Sequence, residues 1–265
     1  MNIDALFEQA LAAGQTGSMA IPDSWGQGRT AFGGLTAALA YRVLRTQVEQ
    51  DRMLRSLSVS FVAPIATDVP FSFESTCLRQ GKNVTQAQAS IIQKGQVGVT
   101  LLASFGVARE SRTGVSNTET PDLRMPEQPQ FLPFIPKVTP QFFQHVDLVL
   151  CSGSFPFTGA KTAHHGGFMR FSEPPAEMTD AHVIALIDAW PPTLLQQLSK
   201  PAPASTLAWN LEFLHPHRPV LPQDWFAYQA DTRQAGEGYG HTEASIWDAH
   251  GELIAISRQT VTVFA

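Results

Sequence analysis

Asp188 follows Val183-Ile184-Ala185-Leu186-Ile187, an unbroken apolar run in a helical stretch, so its carboxyl should fold into surroundings poor in water. A carboxyl held there without donors keeps its proton to a higher pH than usual, and such groups cluster at functional sites. The alternative is an Asp on the helix's solvent stripe. Thr206 opens a strand in which Leu207, Trp209, Leu211 and Phe213 alternate as an apolar face. A period of two sends Thr206 to the opposite face, with Asn210 and Glu212. Gln259 lies in another strand-like run, Ile254 to Val261. A carboxylate can take a proton, while a hydroxyl and a carboxamide can fix the direction of a water's lone pair. Taken singly, Thr is also a good strand former, and a strand Gln is commonly exposed.

A long repeat ties these positions together. Leu57-Ser58-Val59-Ser60-Phe61-Val62-Ala63-Pro64 parallels Trp209-Asn210-Leu211-Glu212-Phe213-Leu214-His215-Pro216. Further on, Ala89-Ser90-Ile91 parallels Ala244-Ser245-Ile246, and Gly95 parallels Gly251. Hairpin loops of slightly different length account for the small drift in offset. Repetition of whole supersecondary units implies two copies of one small fold about a pseudo-twofold axis. In the first copy the counterparts of Thr206 and Gln259 are Leu54 and Ala103, and the helix from Gly33 to Ala40 holds no carboxylate. Two equivalent sites would not look like this. The pattern implies one polar site, drawn mainly from the second half and completed by the first.

A short amphipathic helix over Asp4–Ala13 precedes a strand beginning at Met19–Ile21. Phe32-Gly33-Gly34 leads into an Ala/Leu-rich buried helix, followed by strands near 53–63, 69–80, 83–94 and 97–108. Gln80-Gly81-Lys82 and Lys94-Gly95-Gln96 supply hairpin turns. The second copy has strands near 143–151 and 166–172, a helix near 178–190 broken by Pro191-Pro192, and strands near 205–214, 224–235, 238–248 and 252–264. The boundaries are 1–109 for the first unit, 110–141 for a Pro-rich linker draped over the surface, and 142–265 for the second.

The chain's 265 residues suit two modules, and 43% hydrophobic with 15% charged content suits a well-filled core. A net charge of −5 speaks against nucleic-acid binding. The N-terminal segment lacks the pattern of a signal peptide, and no apolar run approaches the roughly 20 residues of a membrane span, so a cytoplasmic protein is expected. Cys77 and Cys151 read as two buried, reduced thiols. His164-His165 and His215-Pro216-His217 lack the spacing of a metal site. No Gly-x-Ser-x-Gly elbow is present, and the Gly236–Gly240 glycines fall in a hairpin rather than opening a helix.

The order strand, Phe32-Gly33-Gly34, buried helix and four-strand meander resembles the hot-dog fold. The tandem arrangement resembles the acyl-CoA thioesterase II family. Arg79-Gln80-Gly81-Lys82-Asn83 and Ala103-Ser104-Phe105 match stretches of that family, and Asp188, Thr206 and Gln259 match its catalytic Asp, Thr and Gln. The resemblance implies an α+β double hot dog, each unit a long helix wrapped by a curved antiparallel sheet. It implies hydrolysis of a fatty acyl-CoA to free acid and CoA by a water that Asp188 deprotonates with Thr206 and Gln259, without cofactor or metal, in a homodimer. Gly33 and Gly34, at a helix N-terminus, are candidates to hold the developing oxyanion. Arg79 and Lys82 are candidates for the CoA phosphates. Tyr41, Trp190, Trp209 and Phe213 could line the acyl channel or simply fill the core. A hot-dog hydratase needs His five residues after Asp, a spacing found at no Asp here. A catalytically idle acyl-CoA binder is the alternative of another class.

Overall fold

The computed structural model describes residues 1–265, with Thr16 described for its backbone alone. Helix α1 (Ile3–Thr16) begins where the Asn2 side chain accepts from the Ala5 N–H at 3.1 Å. Helix α2 (Gly33–Arg45) is buried along nearly its whole length. Helix α3 (Asp180–Ile187) is shorter than the sequence pattern suggests. Pro191 drives Trp190 out of helical backbone, and the chain leaves the helix at Asp188, its C-terminal cap.

The strands are β1 (Gly26–Gln27), β2 (Thr30–Ala31), β3 (Met53–Phe61), β4 (Phe71–Gln80), β5 (Val84–Gln93), β6 (Gln96–Gly106), β7 (Val146–Ser152), β8 (His164–Phe171), β9 (Ala204–Phe213), β10 (Phe226–Gly236), β11 (Tyr239–Trp247) and β12 (Leu253–Val263). β1 and β2 form a small separate hairpin. The other ten make one antiparallel sheet in the order β4-β5-β6-β3-β9-β12-β11-β10-β8-β7. Its inner face packs on α2 and α3, which pack on each other, and one hydrophobic cluster runs through both halves. This is an α+β double hot dog.

The two halves meet where β3 pairs with β9. Ser58 lies opposite Asn210, and its Oγ donates to the Asn210 Oδ1 at 2.8 Å across a separation of 152 residues. That separation equals the offset of the sequence repeat, so Ser58 maps onto its own partner and the pseudo-twofold passes through this pair. Consistently, Leu57↔Leu211 maps onto Val59↔Trp209.

Two details differ from the sequence reading. Met19 makes only an isolated bridge to Phe71, not a strand. Of the thiols, Cys77 is half-buried and Cys151 is exposed, so neither is a core residue. The Pro-rich stretch is held against the second-half sheet, with the Leu132 N–H donating to the Leu148 carbonyl of edge strand β7 at 2.8 Å and further bonds to side chains of β10 and β11. Trp247 Nε1 donates to the Glu119 carbonyl at 3.0 Å, and the Asp122 N–H donates to Gln229 Oε1 at 2.9 Å. No helix among the described residues is long and apolar enough to cross a membrane.

Candidate active site

Asp188 is placed by two helix ends. It caps the C-terminus of α3 with φ −82° and ψ −1°, and its carboxyl lies against the N-terminus of α2. The close approach depends on glycine. A methyl group on Gly34 would stand 2.7 Å from the Ala185 carbonyl oxygen and 2.8 Å from the Asp188 Cβ. One on Gly33 would stand 2.9 Å from Asp188 Oδ2 and 3.3 Å from the Phe61 ring. Any side chain here would push the helices apart or fill the space beside the carboxylate.

From the sheet, Gln259 on β12 donates through Nε2 to Asp188 Oδ1 at 2.7 Å. The Gly34 N–H donates to the same carboxyl. Burial pushes the Asp188 pKa up to about 7, against the opposing pull of these two donors. The first N–H groups of α2 also favour negative charge here. Asp188 is deep but not sealed. Together with Gly33, Phe61, Thr206 and Gln259 it keeps partial exposure, while the residues flanking it on both sides are buried.

Thr206 reaches this face through a β-bulge. The β9–β12 register passes from Ala208↔Thr260 to Thr206↔Val261, leaving Leu207 as an extra residue that is 40% exposed. Cross-strand partners share a face, and Val261 is fully buried. Thr206 therefore stands on the inner face with Val261, Gln259 and Trp209, not on the outer face with Asn210 and Glu212 as strict alternation implies. The first half has the same bulge. Its β3–β6 register passes from Ser56↔Ser104 to Leu54↔Phe105, leaving Arg55 extra. The matching inner positions Leu54 and Ala103 are fully buried and apolar, so the polar character belongs to the second half alone.

Asp188, Gln259, Gly33 and Gly34 are thus in contact, and Thr206 shares their face without a hydrogen bond to Asp188 among the described residues. Arg79 and Lys82 are elsewhere. They sit exposed on the β4–β5 hairpin, and the neighbouring Gln80 donates to Glu49 at 2.8 Å, beyond the C-terminal end of α2. A helix of 13 residues spans roughly 20 Å, which separates that hairpin from the carboxylate. Tyr41 and Trp209 are core residues whose polar ends are satisfied, by Asp180 at 3.0 Å and Ser257 at 2.8 Å. Phe61 was not picked out from the sequence. Its place in the repeat, shared with Phe213, was the available signal.

A carboxylate near neutral pKa, held through one oxygen by an amide and lying at a helix N-terminus, can activate a water against a carbonyl. Comparison with known proteins bears on which carbonyl. A family profile described as acyl-CoA thioesterase N-terminal domain matches residues 21–106, and one described as acyl-CoA thioesterase C-terminal domain matches residues 121–263. The chain is 23% identical over 252 residues to acyl-CoA thioesterase 2 of Haemophilus influenzae, covering 87% of this chain and 86% of that protein. Among solved structures, a hot-dog protein of unknown function from Alicyclobacillus acidocaldarius superposes with TM-score 0.79 at 24% identity, covering 94% of this chain and 92% of that one. An acyl-CoA thioesterase II from Mycobacterium marinum superposes with TM-score 0.68 at 19% identity, covering 93% and 92%. These two likenesses establish the fold.

Proposed function

The chain belongs to the acyl-CoA thioesterase family, and from that premise we propose that it hydrolyses an acyl-CoA thioester by a water activated at Asp188. The Asp188 carboxylate takes the proton of the attacking water. Gln259 holds Oδ1, which leaves Oδ2, beside Gly33, to face the reacting group. Thr206, on the same inner face, orients the water through its hydroxyl. With the Gly34 N–H given to Asp188, the Gly33 N–H and the positive end of α2 face the thioester carbonyl and stabilise the tetrahedral oxyanion. Collapse of that intermediate breaks the C–S bond, and the proton held by Asp188 passes to the departing thiolate, giving free acid and CoA. Arg79 and Lys82, at the other end of α2, suit the phosphates of an extended ligand and not its thioester.

The observation that carries this reading is the Gln259–Asp188 contact at the α2 N-terminus. Both residues belong to the second half, the first half adds Gly33 and Gly34 beside the carboxyl, and the first-half counterpart of Gln259 is the apolar Ala103. The test is release of free thiol from acyl-CoAs of graded chain length, with binding followed in parallel. Turnover of at least one acyl-CoA supports the reading. Tight binding without thiol release would make the chain an idle acyl-CoA binder.

A further inference from the structure

Two residues beyond Asp188, the Trp190 ring lies over the backbone of Gly167 on β8. A methyl on Gly167 would stand 2.5 Å from the Trp190 Cη2. Trp190 stacks on Tyr228 of β10, with ring centroids 5.5 Å apart and planes 10° from parallel. His165 of β8 completes the group, 5.3 Å from Trp190 and 6.1 Å from Tyr228. All three rings are buried, with 4%, 5% and 8% of the surface of His165, Trp190 and Tyr228 exposed.

The mechanism above uses none of their polar atoms. The Trp190 Nε1–H and the His165 Nε2 are sealed from solvent and have no hydrogen-bond partner among the described residues. Folded proteins rarely leave such groups unmet, because their desolvation is not repaid. Two of them within one ring cluster, next to the catalytic loop, call for a common oxygen. The charge state narrows its type. Burial lowers the His165 pKa to about 3, so the imidazole is neutral. Burial and the nearby Asp188 charge raise the Tyr228 pKa, so the phenol keeps its proton. No cation is present in the cluster to receive a carboxylate. A hydroxyl fits, accepting from the indole N–H and meeting either tautomer of the imidazole, and a keto oxygen fits the tautomer that carries its proton on Nε2.

Resting on the thioesterase reading, we infer that His165, Trp190 and Tyr228 form a subsite for a neutral oxygen function on the acyl chain, so that the enzyme selects hydroxyacyl or oxoacyl thioesters over plain ones. The oxygen meets the ring edges that carry Trp190 Nε1 and His165 Nε2, and the acyl carbonyl remains at the α2 N-terminus. A buried site built to hydrogen-bond a substrate oxygen discriminates against the analogue that lacks it.

The experiment compares kcat/KM for hexanoyl-CoA with its 3-hydroxy, 5-hydroxy and 3-oxo derivatives. It uses the full chain and its Trp190→Phe and His165→Phe variants, which keep a ring and remove the polar atom. At least one oxygenated acyl group is expected to exceed hexanoyl by roughly fivefold or more, the worth of one net hydrogen bond. In each variant the ratio should fall toward one. An unmodified chain that prefers hexanoyl over all three derivatives overturns the proposal, even if neither variant folds. So does a preference that survives both substitutions, which would make the cluster a structural one. Thiol release from none of the four substrates or their longer homologues would overturn the thioesterase reading itself, and the subsite with it.

Discussion

Gln259 donates to the Asp188 carboxylate at 2.7 Å, joining the last strand of the chain to the end of a helix 71 residues earlier. The bond favours the ionised carboxyl and so lowers its pKa against the push of burial. Replacing Gln259 by Leu removes that stabilisation. A hydrogen bond to a charged group is worth about 1.5–3 kcal/mol, or roughly one to two pH units. The acidic limb of the kcat/KM profile should therefore move upward by that amount in Gln259→Leu, alongside a fall in the plateau. An unmoved limb would mean that Gln259 does not touch the group that titrates.

With Asp188 as the proposed base, the pH profile of the unmodified protein should follow its titration. Its pKa is raised to about 7, and the base must be ionised to act. Activity should rise with pH, reach half its plateau near 7 and stay level above, as long as the substrate is stable. A limb near the ordinary carboxylate value of about 4 would show a solvated, unperturbed group in its place.

Gly34 is the point of closest contact between α2 and α3. In Gly34→Ala the added methyl meets the Ala185 carbonyl and the Asp188 Cβ, both of which belong to packed elements with little freedom to retreat. Overpacking of this kind costs about 1–3 kcal/mol. Thermal unfolding should show that loss, and kcat should drop as Asp188 is displaced. Wild-type stability and activity in this variant would mean that the helices lie farther apart than described.

Thr206→Val keeps the shape and strand preference while removing the hydroxyl. If the bulge at Leu207 turns Thr206 to the inner face, kcat should fall by about tenfold to a hundredfold, with KM little changed, since only water positioning is lost. Full activity would place Thr206 outside the reaction.

Much of the architecture was legible because the repeat is regular. The 152-residue offset between Leu57–Pro64 and Trp209–Pro216 reappears as the Ser58–Asn210 pair on the pseudo-twofold. The asymmetry at Leu54 and Ala103 likewise pointed to one site. The direction of Thr206 was misread because a bulge is one inserted residue, which inverts every inference from alternation beyond it. A clue was present in the first half. Leu54 and Leu57 are both buried yet three residues apart, which a regular strand cannot accommodate on one face. The shortness of α3 followed from Pro191, whose effect reaches back to the preceding residue. The unmet polar atoms of Trp190 and His165 were beyond sequence reasoning, since a residue's type does not disclose whether it finds a partner.

The whole mechanism turns on the Asp188 carboxylate acting as the base. Its most direct test is the rate of CoA release by Asp188→Asn, on a substrate the unmodified enzyme turns over, with circular dichroism to verify the fold. Asn keeps the size of the side chain and one acceptor oxygen, but it cannot take a proton. With Asp188 as the base, kcat should fall by roughly a hundredfold to ten-thousandfold, the usual worth of a general base. Release of CoA within a few fold of the unmodified rate, by a folded variant, would contradict it.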